Sequence, residues 1–258
     1  FKQKTAYEIY QCDWSPDVCS SDLCDVAILG GGYSGLWTAY YLLRAEPSLE
    51  VTIVESEVCG FGASGRNGSW CSSRFPVNPD VLARRYGPEV ARDVIPTMHK
   101  TVAEVGRVCE DEGIDAEFRI NGILSFARGA EQLPALRATH RAYESLGLGD
   151  QNLLLDAEAA RERVAVTDIQ GALYTPYSGY VHPAKLVRGL AKVVERLGAR
   201  IYEQSVVTSV SRGADAALVT EQGRVRARRA VIAAGEAYLP KVAGLDRKST
   251  RLNSSHTD

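Results

Sequence analysis

Surplus charge of one sign, cysteine and long apolar runs are all scarce in these 258 residues, and each scarcity removes a class of function. Thirty basic side chains stand against 32 acidic ones, a formal net charge of −2, so no overall field draws nucleic acid or an anionic membrane surface. No apolar run approaches the roughly 20 residues of a membrane-spanning helix, and the first residues lack the basic region and apolar stretch of a signal peptide. Six cysteines are too few for a disulfide scaffold. Cys12, Cys19, Cys24, Cys59, Cys71 and Cys109 form no CxxC pair and do not cluster with the four histidines, so the expectation is free thiols, no metal site and a reducing cytoplasm. What remains, with 45% hydrophobic and 24% charged residues, is the composition of a globular protein with a real core and a small-molecule partner.

The two ends differ from the middle. Phe1 to Leu23 shows neither helical nor strand periodicity, and Arg247 to Asp258 has Leu252 as its sole apolar side chain, so both are expected to be tails. Both also resemble translated sequencing-adapter read-through, which makes Cys24 to Asp246 the informative part.

A complete mononucleotide-binding unit opens that part. Asp25 to Leu29 reads as a short apolar strand, Gly30-Gly31-Gly32-Tyr33-Ser34-Gly35 as a turn, and Leu36, Ala39, Tyr40 and Leu43 as the inner stripe of a helix. Val51 to Val54 reads as a second strand, ending in Glu55 and Ser56. Gly30 permits the tight turn, Gly32 the approach of a pyrophosphate, and Gly35 close packing of helix on strand. The N–H groups of Tyr33, Ser34 and their neighbours at the helix start then face the phosphates, while Glu55 accepts hydrogen bonds from an adenosine ribose.

A second glycine-rich loop, Gly60-Phe61-Gly62-Ala63-Ser64-Gly65-Arg66-Asn67-Gly68, separates FAD from NAD, because an extended dinucleotide needs a second set of backbone donors. Together the two loops resemble those of the D-amino-acid oxidase (DAO) superfamily of flavoproteins, nearest to its gamma-glutamylputrescine oxidase-like branch. The resemblance implies FAD as cofactor and cofactor contacts at Ser64, Gly65, Arg66 and Asn67. It also implies that Val207 flanks the adenine and that Ala234 and Gly235 close over the phosphates. It covers nearly all of Cys24 to Asp246 but about the first half of a full family chain.

The rest of the chain reads as supporting structure. Pro88 to Glu112 is expected as a long helix with Val90, Val94, Ile95, Met98, Val102, Val105 and Val108 inward, Asn121-Gly122 as a turn into a strand, and Glu131 to Leu146 as a helix stopped by Gly147. His182 precedes Pro183 at the start of another helix, which favours a capping role. Strands follow at Arg200 to Glu203, Val206 to Val210, Ala216 to Val219, Arg224 to Ala227 and Ala230 to Ala234, and Arg224, Arg226, Arg228 and Arg229 are expected on a solvated strand edge.

The expected fold class is α/β: a Rossmann-like FAD-binding domain of glutathione-reductase type (24–80 and 176–246) with part of an α+β substrate domain (81–175). The expected function is oxidation of an amine or amino acid by hydride transfer to flavin, with oxygen as acceptor and Asn67, Trp70 and Arg74 near the reacting face. The sequence leaves two alternatives open, a nicotinamide-dependent dehydrogenase and an incomplete piece that does not hold FAD tightly. It names no catalytic base and no oligomeric state.

Overall fold

The structure is a computed structural model that describes residues 22–245. The tail expected at 247–258, and most of the one at 1–23, lie outside the described residues. The chain first runs through β1 (Asp22–Leu29), α1 (Tyr33–Ala45), β2 (Val51–Val54), α2 (Ala63–Arg66) and β3 (Trp70–Cys71). Next come α3 (Pro79–Tyr86), α4 (Pro88–Asp111), β4 (Arg119–Ile120), β5 (Ile123–Ala127), α5 (Leu133–Ser145), β6 (Leu153–Leu155), α6 (Ala157–Arg163), β7 (Gly171–Thr175) and β8 (Gly179–Tyr180). It closes with α7 (Pro183–Arg196), β9 (Arg200–Tyr202), β10 (Val207–Ser211), β11 (Ala217–Thr220) and β12 (Arg224–Ala233). Two compact units result, one of 22–68 with 183–245 and one of 69–182, dividing at Gly68/Ser69 and His182/Pro183 rather than at 80 and 175.

The first unit is built on a six-stranded sheet in the order β10-β11-β12-β1-β2-β9. β12, β1, β2 and β9 are parallel neighbours, and β10 and β11 extend the sheet antiparallel. Parallel neighbours such as β1 and β2 need a crossover, which α1 supplies. Its buried face is Gly35, Leu36, Ala39, Tyr40 and Leu43, the stripe that the sequence spacing gives. All four residues of β2 are buried, as a strand covered on both faces requires. In α7 the buried stripe includes Leu186, Val187, Leu190, Val193 and Val194.

Two expectations for this sheet need correction. β1 begins at Asp22 rather than Asp25, because Asp22 and Leu23 pair with Val225 and Arg226. The segments 224–227 and 230–233 form one strand, with a register shift between Cys24 and Val26 on β1 absorbing the irregularity. β12 is therefore flanked on both sides, and its arginines do not mark an edge. Each meets an acid instead: Arg226 Nε lies 2.8 Å from Asp215, Arg228 lies 3.2 Å from Glu50, and Arg229 lies 3.2 Å from Glu46.

The second unit carries two antiparallel three-stranded sheets, β3-β8-β4 and β5-β7-β6, beside α3 to α6. Leu82, Ile95, Tyr143, Leu146, Leu148 and Leu173 form its larger core cluster. On α4 the buried stripe passes through Ala91, Ile95, Val102, Val108 and Cys109, so Val90, expected inward, is rotated off it and 44% exposed. Gly147 ends α5 at φ +72°, a left-handed conformation that glycine adopts without strain.

Candidate functional site

Three parallel strands end level with one another. Leu29 at the end of β1 is in register with Val54 of β2 and with Ala233 of β12. The chain therefore leaves the sheet at Gly30, Glu55 and Ala234 along one carboxyl edge, where open α/β sheets bind ligands. Gly30 N–H donates to Val54 O at 2.9 Å, and Ala234 N–H donates to Leu29 O at 2.8 Å.

The first glycine turn is built around close backbone contact. Gly30 has φ +107°, and a Cβ on Gly35 would lie 2.0 Å from the Gly30 carbonyl oxygen. Any side chain at Gly35 would push α1 off β1. α1 then starts at Gly32, which has no side chain to cap it, and no acidic residue occupies its first turn. An uncapped helix start of this kind favours an anion.

Glu55 ties this turn to the segment that follows. Its Oε2 accepts the Gly31 N–H at 2.7 Å, while Oε1 accepts the Ser56 hydroxyl at 3.1 Å and the Glu57 N–H at 3.0 Å. A carboxylate has about four acceptor sites, so one is left for a further donor.

The second turn repeats the geometry of the first. Gly60 has φ +85°, and a Cβ on Gly65 would lie 2.2 Å from the Gly60 carbonyl oxygen, at the same five-residue separation as Gly30 and Gly35. The two turns are also bonded to each other. Gly60 N–H donates to Gly31 O at 3.0 Å, and the Ser64 hydroxyl accepts the Tyr33 N–H at 2.9 Å. A Cβ on Gly32 would meet that same hydroxyl at 2.9 Å.

Beneath the second turn lies a contact that the sequence reading missed. Glu203, just past β9, accepts the Cys59 N–H at 2.5 Å and pairs with Arg188 of α7 at 2.7 Å, and both side chains are almost covered. Arg188 also donates to Cys59 O at 3.4 Å. Burial pushes the Glu203 carboxyl up, while the Cys59 N–H and the Arg188 guanidinium pull it back down. Burial, with Glu203 and Glu55 nearby, pushes the Cys59 thiol well above the ordinary cysteine range. Glu203 is 144 residues from Cys59, so no local pattern exposes the link.

The remaining expected residues fall as follows. Ser34 is exposed in the first turn of α1, and its carbonyl accepts the Thr38 hydroxyl. Arg66 lies over the Phe61 ring at 4.6 Å, and the Asn67 amide donates to the Ala63 and Ser64 carbonyls, closing the short α2. The Val207 side chain is core, clustered with Leu29 and Val54. Ala234 borders Gly30, whose Cβ would lie 2.8 Å from its carbonyl oxygen, and Gly235 packs on Leu239. In the second unit Trp70 is 81% exposed, and Arg74 borders a cavity. His182 is half-buried, and its backbone N–H donates to Ala116 O.

This arrangement has close relatives. Residues 25–256 match the DAO family model, described as FAD dependent oxidoreductase. The chain belongs to the DAO family. It is 36% identical over 216 residues to the gamma-glutamylputrescine oxidoreductase of Escherichia coli K12, covering 84% of this chain and 50% of that protein. It is 30% identical over 223 residues to the probable oxidoreductase OrdL of Rhizobium meliloti, covering 84% and 50%. Among solved structures, the glycine oxidase of Geobacillus kaustophilus superposes with a TM-score of 0.67 at 25% identity, over 86% of this chain and 57% of that one. The chain thus spans about half the length of the curated DAO relatives it matches. The family and its curated relatives place FAD as the cofactor, and no helix among the described residues is long and apolar enough to cross a membrane.

Proposed function

We propose that this chain supplies the nucleotide-holding part of a flavin-dependent oxidoreductase that oxidises an amine or an amino acid, with oxygen as electron acceptor. The observation that carries this reading is the pair of stacked glycine turns at the carboxyl edge of the parallel sheet. A single turn serves any dinucleotide, whereas a second turn bonded onto the first extends the row of backbone along a longer cofactor.

The residues present fit FAD. Gly30, Gly32 and Gly35 let the Ala234 carbonyl, the Ser64 hydroxyl and the Gly30 carbonyl approach closely enough to build the turn, and the start of α1 faces negative charge favourably through Ser34 and the amides beside it, the Tyr33 N–H being held by Ser64. Glu55 keeps an acceptor site for a ribose hydroxyl while its other bonds, one of them from Ser56, hold the loop in shape. Ser64, Gly65, Arg66 and Asn67 line the second turn. Ala234 and Gly235 close the third strand end. Val207 is two residues from Ser205, whose N–H donates to Glu55 O at 2.9 Å, which supports a backbone role beside the adenine. FAD, when bound, supplies a two-electron acceptor that takes a hydride from the carbon bearing a neutral amine and passes the electrons to oxygen as hydrogen peroxide. Water then converts the imine product to a carbonyl compound and ammonia or an amine.

The relatives' names give the candidate substrates, gamma-glutamylputrescine and glycine. Four unpaired cysteines among the described residues support a reducing cytoplasm as its location. The test supplies FAD to the protein under air and measures peroxide with each substrate and with matched alcohols. Peroxide with an amine substrate but not with the alcohols supports the reading. Turnover that needs a nicotinamide instead contradicts it.

A further inference from the structure

Arg188 and Glu203 converge on one residue of the loop that leads into the second glycine turn. Glu203 accepts the Cys59 N–H at 2.5 Å, Arg188 donates to Cys59 O at 3.4 Å, and the two charged groups lie 2.7 Å apart. The peptide unit from Cys59 to Gly60 is planar, so a hold on its carbonyl also sets the direction of the Gly60 N–H. That N–H donates to Gly31 O at 3.0 Å and joins the second turn to the first. Cys59 packs on the first turn as well, since a Cβ on Gly31 would lie 2.5 Å from its sulfur. Val187, the neighbour of Arg188 on α7, takes the space that a Cβ on Gly60 would need. The chain around Glu203 is bent towards the same loop. Gln204 is held at φ +53°, a left-handed conformation that is strained for any residue but glycine, and its N–H donates to Glu57 O at 2.7 Å.

We infer that Arg188 and Glu203 are positioning residues for the flavin cofactor, holding the peptide units on both sides of Cys59 so that the Gly60 turn continues the row of backbone begun at Gly31. The inference rests on the reading of the two turns as one FAD site, and it has the pair act through Cys59. A buried ion pair gives little net stability over apolar residues of similar volume, because desolvation offsets the attraction. What this pair adds is direction, since each charged group also bonds the backbone of the same residue. The first turn serves the adenosine diphosphate half that FAD shares with ADP, and the second serves the longer cofactor. Loss of the pair therefore weakens FAD more than ADP, whereas a pair that served packing alone would weaken both alike.

The test compares the whole chain with the double variant Arg188→Met with Glu203→Met, which strands no buried charge. Two quantities are measured: the dissociation constants for FAD and for ADP by calorimetry, and backbone hydrogen exchange of residues 57–62 in the cofactor-free chain. The double variant is expected to lose about tenfold in FAD affinity while ADP affinity stays within about twofold. The Cys59 and Gly60 amides are expected to exchange about tenfold faster, with those of β1 unchanged. Arg188→Lys keeps the charge but not the forked donors, so it is the milder variant and should lose FAD affinity only several-fold. Equal weakening of FAD and ADP, unchanged FAD affinity in both variants, or unchanged exchange of residues 57–62 overturns the proposal. A parent chain that binds no FAD contradicts the function proposed above. The exchange measurement needs no cofactor and still shows whether the pair holds the turn, so the two ideas fail separately.

Discussion

Glu55 accepts the backbone N–H of Gly31 at 2.7 Å, so the acid at the end of β2 holds the first glycine turn, and under the proposed function its remaining acceptor site serves a nucleotide. Glu55→Gln keeps the size but replaces one oxygen with a donor, and at least one of the three local bonds must break. Hydrogen bonds to charged groups contribute about 1.5–3 kcal/mol. FAD affinity is therefore expected to fall about tenfold or more, measured by titration of flavin fluorescence, with a smaller drop in melting temperature. An unchanged affinity would show that Glu55 serves the loop alone.

Gly35→Ala places a methyl group 2.0 Å from the Gly30 carbonyl oxygen, which belongs to backbone and cannot swing aside. Overpacking of this kind costs about 1–3 kcal/mol. Circular dichroism melts should show the loss, and FAD binding should fall with it. Gly68→Ala, with nothing within 4 Å of its Cβ, is the matched control and should leave both nearly unchanged.

Arg188→Met leaves the Glu203 carboxyl almost covered without its cation, and removal of one partner of a buried pair costs about 3–5 kcal/mol. The double variant Arg188→Met with Glu203→Met should recover part of that loss, since no charge is stranded. Urea melts of the four proteins give the coupling directly. Strict additivity would mean that the pair does not interact.

Asp25 is held below the ordinary carboxylate range, chiefly because it accepts the Glu50 N–H, with Arg229 and Arg228 adding to the effect. A depressed folded-state pKa contributes stability that is present above the ordinary carboxylate range and is lost as pH falls through the depressed value. Asp25→Asn should therefore lose melting temperature near neutrality but less on further acidification than the parent. Parallel acid limbs in the two proteins would contradict this.

Cys59 is buried with its thiol pushed well up, and Cys109 is pushed up to about 11, largely by burial. The thiolate is the reactive form, so both should resist iodoacetamide in the native protein at mildly alkaline pH and react fully in urea. Peptide mapping by mass spectrometry reads the two sites separately. Rapid native labelling of Cys59 would mean that the Gly60 turn opens readily.

Legibility in the sequence followed the range of the interaction. The unit from Asp25 to Glu55 was readable because β1, α1 and β2 each carry their own period and the turn between them is written in glycine. The buried stripe of α1 coincides with the spacing of Leu36, Ala39, Tyr40 and Leu43. The second loop was readable by composition, but its repetition of the first turn shows itself only when the Gly60 and Gly65 positions are seen together. The Arg188–Glu203–Cys59 contact joins segments with no shared pattern, so sequence spacing could not reveal it. β3, β4 and β8, at two residues each, are too short to show alternation. The arginines of β12 misled because a run of charge suggests an edge, whereas here acids on β1 and neighbouring loops receive them across the sheet.

Under the proposed function, two glycine turns bonded to each other hold one FAD. The most direct measurement is the dissociation constant of the chain for FAD and for NAD+, with Gly35→Ala and Gly65→Ala beside the parent. That arrangement predicts saturable FAD binding, at least about tenfold tighter than NAD+, and loss of that preference in both variants, since a Cβ at either position meets a backbone carbonyl. Equal affinity for the two nucleotides, or FAD binding indifferent to Gly65→Ala, would contradict it.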